Sequence, residues 1–463
     1  MDGYKLDPTI LREYDIRGVI DKTLTVDGAR VIGRAFGTMV VEKGGRTVCV
    51  GYDGRLSSPS LERAVVEGLL ACGLSVICLG LGPTPMLYFG VKTIPADAGI
   101  MISGSHNPPE YNGFKMTLNT TPFFGEDIIR LGKIAAMGAY ADGVGEETRN
   151  FLHSQYVARI AADYSGGRPL KVAWDAGNGS AGDAMRDLCA LLPGEHILIN
   201  EQIDGTFPSH HPDPTVPECL KQLQEVVRSK KCDFGMAFDG DGDRVGAVDG
   251  KGRIIWGDQL MILLASDVLK ENPGSTIIAD VKASQALFDM VSQMGGNPLM
   301  WRTGHSLIKA KMLETGAPLA GEMSGHIFFA DKYYGYDDAL YAAVRLLNYV
   351  SHQSKSLVEI RDSLPQPVNT PELRFPCGAT RKFKVVEEVL VRMEAKGAEL
   401  VNIDGLRVKT DDGWWLLRAS NTEDMLVARC EAREKEGLLR LKGVLAAELS
   451  ASGVKIPKKL GIY

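Results

Sequence analysis

Short runs of valine, isoleucine and leucine that are apolar without alternation, each tied to a helical segment, constrain this chain most. From Arg46, "RTVCVGYD" is such a run. "SPSLERAVVEGLLACG" then reads as a helix, with Ser58 as N-cap, Pro59 at the first position and Gly73 as the stop. "LSVICLG" and "DAGIMIS" follow as further strands. A strand apolar on both sides has to be covered on both faces, which predicts a mostly parallel sheet between helices. The unit recurs. "LKVAWDAGNGSAG" with "DAMRDLCALL", and "PECLKQLQEVVRSK" with "CDFGMAF", make a second block. "STIIADV", "ASQALFDMVSQMG", "PLMWR", "SLIKAKMLETG" and "PLAGEMS" make a third. After Leu364 the texture changes. "PQPVNTPELRFPCG" reads as a proline-rich linker. Adjacent strand candidates between two helices then predict an α+β domain. The 463 residues are enough for three or four domains.

Lysine plus arginine total 52 against 58 acidic residues, a net charge of −6, and no basic run occurs. Nucleic-acid and membrane-surface partners therefore have no electrostatic support. An anionic substrate would need a local basic pocket within a mildly acidic whole. The eight cysteines form no C-x-x-C pair, and several sit in apolar runs. They read as buried small hydrophobes, which suits a reducing, cytoplasmic compartment. The N-terminus shows no signal-peptide pattern. Residues 68–91 carry no charge, but glycines and the Pro83 and Pro85 pair divide them. A helix end, a buried strand and a turn explain them better than a membrane span.

The sharpest chemical signal is "AFDGDGDRVGAVD". Asp239, Asp241 and Asp243 alternate with glycines directly after an apolar strand. Three carboxylates so close are costly without a cation, and an oxygen-only set suits Mg²⁺, Mn²⁺ or Ca²⁺. An EF-hand is excluded, because Arg244 and Gly250 occupy its glycine and glutamate positions. The other reading is an Asp-Gly hairpin turn with solvated carboxylates. In "GIMISGSHNPPEYNGFKM" a buried strand breaks into a loop that carries Ser105, flanked by His106 and followed by Lys115. That serine is a nucleophile or phosphate carrier, or else a turn residue satisfying the backbone. The loop is not a G-x-S-x-G elbow, since Asn107 stands two residues on.

"SGSHNPPEYNGFK", "DGDGDR", "GEMSGH" and "RASNT", in that order and widely spaced, closely resemble the α-D-phosphohexomutases of the phosphomannomutase/phosphoglucomutase branch. "REYDIRG" and "RTGHSLIK" fit as well, so the resemblance spans essentially the whole chain. It implies three related α/β domains with mixed, mostly parallel sheets and a fourth C-terminal α+β domain around a central cleft, each giving that cleft one loop. The boundaries would be 1–150, 151–251, 252–364 and 365–463. It implies a phosphoryl group on Ser105 and one Mg²⁺ held by Asp239, Asp241, Asp243 and a phosphate oxygen on Ser105. Hexose 6-phosphate and hexose 1-phosphate, of mannose, glucose or both, would interconvert through a 1,6-bisphosphate, which also serves as activator. Lys115, placed on the same loop as Ser105, and His305 are the acid/base candidates. Tyr14 and Arg17 would lie beside the catalytic loop, with Arg17 and Arg244 supporting the metal–phosphate region. Gly304 belongs to the "TGHS" segment that contacts substrate. Glu322 and Ser324 would read sugar hydroxyls, with His326 nearby. Arg418, Ser420, Asn421 and Thr422 would grip the non-reacting phosphate, with Arg429 and Lys282 adding charge. The partners implied are small sugar phosphates, and the chain would be a monomer or weak oligomer.

Ser103 replaces the threonine usual before "GSHNP", and Glu423 and Asp424 follow "RASNT" where threonine and proline are common. A phosphoglucosamine mutase is the nearest rival, disfavoured by "GEMSGH" and "SNT". A non-catalytic sugar-phosphate sensor should have lost Ser105 or an aspartate, and a metal-dependent phosphatase would release inorganic phosphate. No dinucleotide or P-loop motif follows a strand. His210 and His211, adjacent and followed by prolines, read as structural rather than as a zinc pair.

Overall fold

A computed structural model of the chain describes residues 3–119, 121–421 and 424–456. Four sheets follow one another along the sequence. The first has seven strands, ordered Ile16–Val19, Tyr111–Leu118, Ala98–Ile102, Thr47–Tyr52, Ser75–Leu81 and Glu146–Arg149, with Thr121–Pro122 paired to Tyr111–Leu118. Its inner strands are parallel, whereas Tyr111–Leu118 runs antiparallel to both neighbours. The second sheet holds Ile254–Ile255, Val245–Asp249, Phe234–Phe238, Lys171–Asp175 and Glu195–Ile199. The third holds Asn297–Trp301, Thr276–Asp280, Leu319–Gly321 and Ile327–Phe329.

The three sheets share a device that explains where the motifs fall. A fully buried strand parallel to its neighbour ends, the chain loops, and it returns antiparallel. The loop starts after Ile102, paired with Phe114, after Phe238, paired with Val245, and after Gly321, paired with Ile327. Ser105, the three aspartates and Glu322–His326 therefore occupy equivalent loops. All open at the carboxyl ends of strands, where open α/β sheets bind ligands. Lys115 does not lie on the Ser105 loop as expected. It sits on the returning strand, opposite Met101.

One hydrophobic core runs from Cys49 to Leu364 through parts of all three sheets, with a second core under the first sheet. The fourth sheet is antiparallel throughout. Val368–Asn369 and Leu373–Pro376 both pair with Met425–Ala432, followed by Gly413–Ala419, Leu406–Thr410 and Glu399–Val401. It has a core of its own, from Leu373 to Leu449. The proline-rich segment is thus not a free linker. Its prolines sit at or beside an edge strand, where no ladder donor is lost.

Two further expectations are corrected. Ser58 does not cap its helix. Ser57 precedes Ser58–Leu70, and the Ser58 hydroxyl donates instead to Asp53 at 2.6 Å. The uncharged run 68–91 ends not in a turn but in the buried helix Thr84–Thr93, started by Pro85. Among the described residues no helix is long and apolar enough to cross a membrane. All eight cysteines are free, and seven are buried.

Candidate active site

Ser105 follows the buried strand Ala98–Ile102 and has a left-handed backbone, φ 48°. Its hydroxyl donates to Asp239 Oδ2 at 2.8 Å and lies 3.2 Å from His106 Nδ1. This approach depends on glycine in the aspartate loop, because a Cβ on Gly240 would lie 2.4 Å from the Ser105 carbonyl oxygen. Ser103 has a role as well. It accepts from the Ser105 amide at 2.9 Å and donates to Asp241 Oδ2 at 2.7 Å, so the hydroxyl it shares with threonine makes the contacts.

Asp239, Asp241 and Asp243 are fully buried, with oxygens that all lie within 4.8 Å of one another. The loop is therefore not a solvated hairpin turn. Asp241 Oδ2 accepts from Thr84 at 2.6 Å and from Lys115 at 2.7 Å, and Lys115 also bonds Asp243. Asp241 Oδ1 is buried without a hydrogen-bond partner. An orphaned buried oxygen in an oxygen-only set fits a hard divalent cation. Burial, then the charges of Asp243 and Asp241, push the Asp239 carboxyl well above the usual range. Burial opposes charge on Lys115 too, but Asp241 and Asp243 outweigh it and hold the ammonium protonated.

Arg17 lies beside the Ser105 loop, bonded to the Gly104 carbonyl at 3.1 Å, to Asn107 and to Asp15. Tyr14 does not. Its hydroxyl donates to the Thr303 carbonyl at 2.9 Å and accepts from Asn421 at 2.6 Å, so it bridges the third and fourth units. His305 begins the helix His305–Thr315. Burial, then Lys309 and His326, keep its imidazole neutral. Gly304 precedes it at φ 135°, with its amide donating to Glu322 at 2.6 Å. A Cβ there would meet the Tyr14 ring at 2.7 Å. His326 is held between Glu322 at 3.0 Å and Asp243 at 3.1 Å. Burial and Arg244 oppose its charge, yet Asp243 and Glu322 raise it to about 9. The Glu322 carboxyl falls to about 2 against its own burial, chiefly through His326.

The fourth unit closes the site. Arg418 is held by Asp404 at 3.0 and 3.3 Å. Arg429 donates to the Lys282 carbonyl at 2.5 Å, and Lys282 lies 3.4 Å from Glu372. Thr422 and Glu423 lie outside the described residues. Asp424 is exposed and paired with Lys382 at 3.5 Å, so this acid turns outward.

These side chains surround one cleft of about 550 Å³. Ser105, Lys115, His305, Arg17, Tyr14, Arg244, Lys282, Gly304, Glu322, Ser324, His326, Arg418, Ser420, Asn421 and Arg429 all line it, and the aspartates lie buried behind Ser105. The units give it more than one loop each. Asp213 and Thr215 join Arg244 from the second, while Thr370 and Glu372 come from the segment first read as a linker. Among the described residues the lining carries eight arginines and lysines against four acids, the local basic pocket that an anionic substrate requires. His210 lies apart, paired with Asp175 at 2.9 Å.

Comparison with known proteins agrees with this geometry. Residues 8–132, 154–252 and 256–368 match the phosphoglucomutase/phosphomannomutase alpha/beta/alpha domains I, II and III, and residues 372–448 match the C-terminal domain of the same family. The chain is 42% identical to a phosphomannomutase/phosphoglucomutase of Pseudomonas aeruginosa over 452 residues, 98% of each chain. It is 42% identical to a phosphoglucomutase of Neisseria gonorrhoeae over 448 residues, 96% of this chain and 97% of that one. A crystal structure of a phosphoglucomutase/phosphomannomutase family protein from Burkholderia thailandensis superposes with a TM-score of 0.93 at 43% identity, covering 98% of this chain and 100% of the other. With all four domains matched in order, the chain belongs to the phosphoglucomutase/phosphomannomutase family.

Proposed function

We propose that this chain is a phosphohexomutase that interconverts hexose 6-phosphate and hexose 1-phosphate, of mannose, glucose or both, with Ser105 as the phosphate carrier. One observation carries the reading: a serine hydroxyl 2.8 Å from a buried triad of carboxylates, at the floor of a basic cleft that all four units line. Asp239, Asp241 and Asp243 would hold Mg²⁺ together with an oxygen on Ser105. When bound, the ion supplies positive charge at the phosphoryl group being transferred.

The protein's own groups divide the proton work. A sugar hydroxyl that attacks the phosphoryl group loses a proton, and Ser105 Oγ regains one as it leaves. His305, held neutral, takes the first role; Lys115, held protonated, takes the second. Environments that push two titratable groups apart are what such a pair needs. His326, charged between Asp243 and Glu322, fixes the Glu322 carboxylate that faces the sugar with Ser324. The bisphosphate turns within the cleft and returns its other phosphate to Ser105. Arg418, Ser420, Asn421, Thr422, Lys282 and Arg429 grip the phosphate that is not reacting, and Asp404 aims Arg418. We place the four domains at 1–150, 151–251, 252–364 and 365–463. Eight free cysteines support a cytoplasmic setting.

Coupled assays with the 1- and 6-phosphates of glucose and mannose test the reaction. Interconversion without release of inorganic phosphate is expected; stoichiometric release would make the chain a phosphatase instead. Arg418→Ala should raise KM by tens-fold, since a guanidinium–phosphate contact contributes about 1.5–3 kcal/mol. The variant should also depend more on added glucose 1,6-bisphosphate, because the intermediate escapes before its second transfer. Unchanged KM and no response to bisphosphate would remove the fourth domain from the phosphate grip.

A further inference from the structure

The Ser105 loop has a backbone problem that its own motif does not solve. It turns away from the strand at Ser103, runs through Pro108 and Pro109, and rejoins a strand at Tyr111. Short turn bonds run from the Asn107 amide to the Gly104 carbonyl and from the Tyr111 amide to that of Pro108, both at 3.0 Å, while Ser105 is 2% exposed. Buried carbonyls need donors. The buried Ser105 carbonyl and the part-buried ones of Asn107, Pro108 and Tyr111 all accept from one side chain outside every motif singled out above. Arg55, just beyond the strand Thr47–Tyr52, donates through Nη2 to the carbonyls of Ser105 and Asn107, both at 2.6 Å. Through Nη1 it donates to those of Pro108 at 2.6 Å and Tyr111 at 3.0 Å.

The guanidinium is 2% exposed and fixed from three other sides. Asp53 Oδ2 lies 3.3 Å from its Nε and also accepts from the Gly104 amide at 3.0 Å. The Phe207 ring, from the second unit, covers its face at 5.1 Å. Gly104 backs onto it so closely that a Cβ there would lie 2.2 Å from Nε. The Asp53 carboxylate is anchored in turn by the Arg55 amide at 3.1 Å and the Ser58 hydroxyl at 2.6 Å. A planar fork with five donors suits four converging carbonyls, and an ammonium with three cannot replace it.

We propose that Arg55, oriented by Asp53, is the positioning residue of the phosphoserine loop: it holds Ser105 in its left-handed conformation, so that Oγ is aimed at the aspartate triad. Its four bonds go to backbone carbonyls, that of Ser105 included, and not to the Ser105 hydroxyl or the aspartate carboxylates. Arg55 fixes the backbone from Ser105 onward while Asp53 holds the Gly104 amide before it, and a nucleophile displaced by a fraction of its reach loses most of its advantage.

The inference rests on Ser105 being the phosphate carrier, and the test separates the two. Arg55→Lys keeps charge and stem but cannot serve four carbonyls. It should lower kcat at least about 100-fold, leave KM for the sugar phosphate within about threefold, and reduce phosphate uptake by Ser105 from glucose 1,6-bisphosphate, read by intact mass. Asp53→Asn should show the same split with a smaller loss, and serves where Arg55→Lys does not fold. Wild-type enzyme provides a check independent of any variant: the Gly104 and Ser105 amides should resist hydrogen exchange as strongly as those of Ala98–Ile102. A purely structural role would lower thermal stability and leave kcat intact at permissive temperature. Arg55→Lys or Asp53→Asn with kcat within threefold of wild type, or loop amides exchanging as fast as an exposed turn, would overturn the proposal. If Ser105→Ala itself stays active, the carrier assignment fails instead.

Discussion

Ser105→Ala is expected to lower kcat by on the order of 10³-fold or more while the protein remains folded. The loss follows from removing the atom that carries the phosphoryl group, a step that neighbouring groups cannot take over. Little else should change. The Ser105 hydroxyl makes one hydrogen bond to Asp239 and one contact with His106, and Asp239 Oδ1 keeps the amides of Asp243 and Arg244 at 3.0 and 3.1 Å. Alanine and serine pay similarly for φ 48°, so the stability change should stay near the ~1 kcal/mol of one hydrogen bond. Circular dichroism with thermal melting reads the fold, and the coupled mutase assay reads the rate. Near-normal turnover would remove Ser105 from the chemistry.

Removal of divalent metal should have an effect of similar size. EDTA should abolish turnover and Mg²⁺ should restore it. Asp241→Asn should fold, because Asp243 still pairs with Lys115 and one of three crowded acidic groups is gone. Its activity should fall by more than the ~10–100-fold typical of losing an outer partner of a metal site. Titrating Mg²⁺ against activity distinguishes weakened binding, which recovers at high metal, from a lost catalytic arrangement, which does not. Unchanged activity after chelation would make the aspartate loop a structural turn.

The legible part of this chain was what repeats and what crowds. Continuous apolar strands announced the sheets, and three aspartates alternating with glycine announced a site, because burying such charge without purpose is costly. The returning antiparallel strands were less visible. Tyr111–Leu118 mixes Asn112, Lys115 and Thr117 with apolar residues, since Lys115 serves the site and Asn112 bonds the Ser57 and Ser58 hydroxyls. The proline-rich segment misled because proline tolerates a sheet edge, and only the pairing with Met425–Ala432 reveals that. Tyr14 was placed with Arg17 by the resemblance of "EYDIRG", and its hydroxyl bonds Thr303 and Asn421, partners that the motif does not reveal. Asp53, Arg55 and Asp404 were missed altogether. Each acts on backbone or on another side chain rather than in a recognisable motif. The available signal was "YDGR", paired charges at the end of an apolar strand, where ligand-facing loops begin.

Every step of the proposed reaction passes through a phosphate on Ser105, and one measurement reaches it directly. Purified enzyme is incubated with glucose 1,6-bisphosphate and Mg²⁺, and its intact mass and peptide map are recorded before and after addition of excess mannose 1-phosphate or glucose 1-phosphate. One phosphoryl group per chain is expected, located on the peptide that contains Ser105 and lost to the sugar phosphate as bisphosphate forms. Phosphate found reproducibly on another residue, or full turnover by protein that never carries phosphate on Ser105, would contradict it.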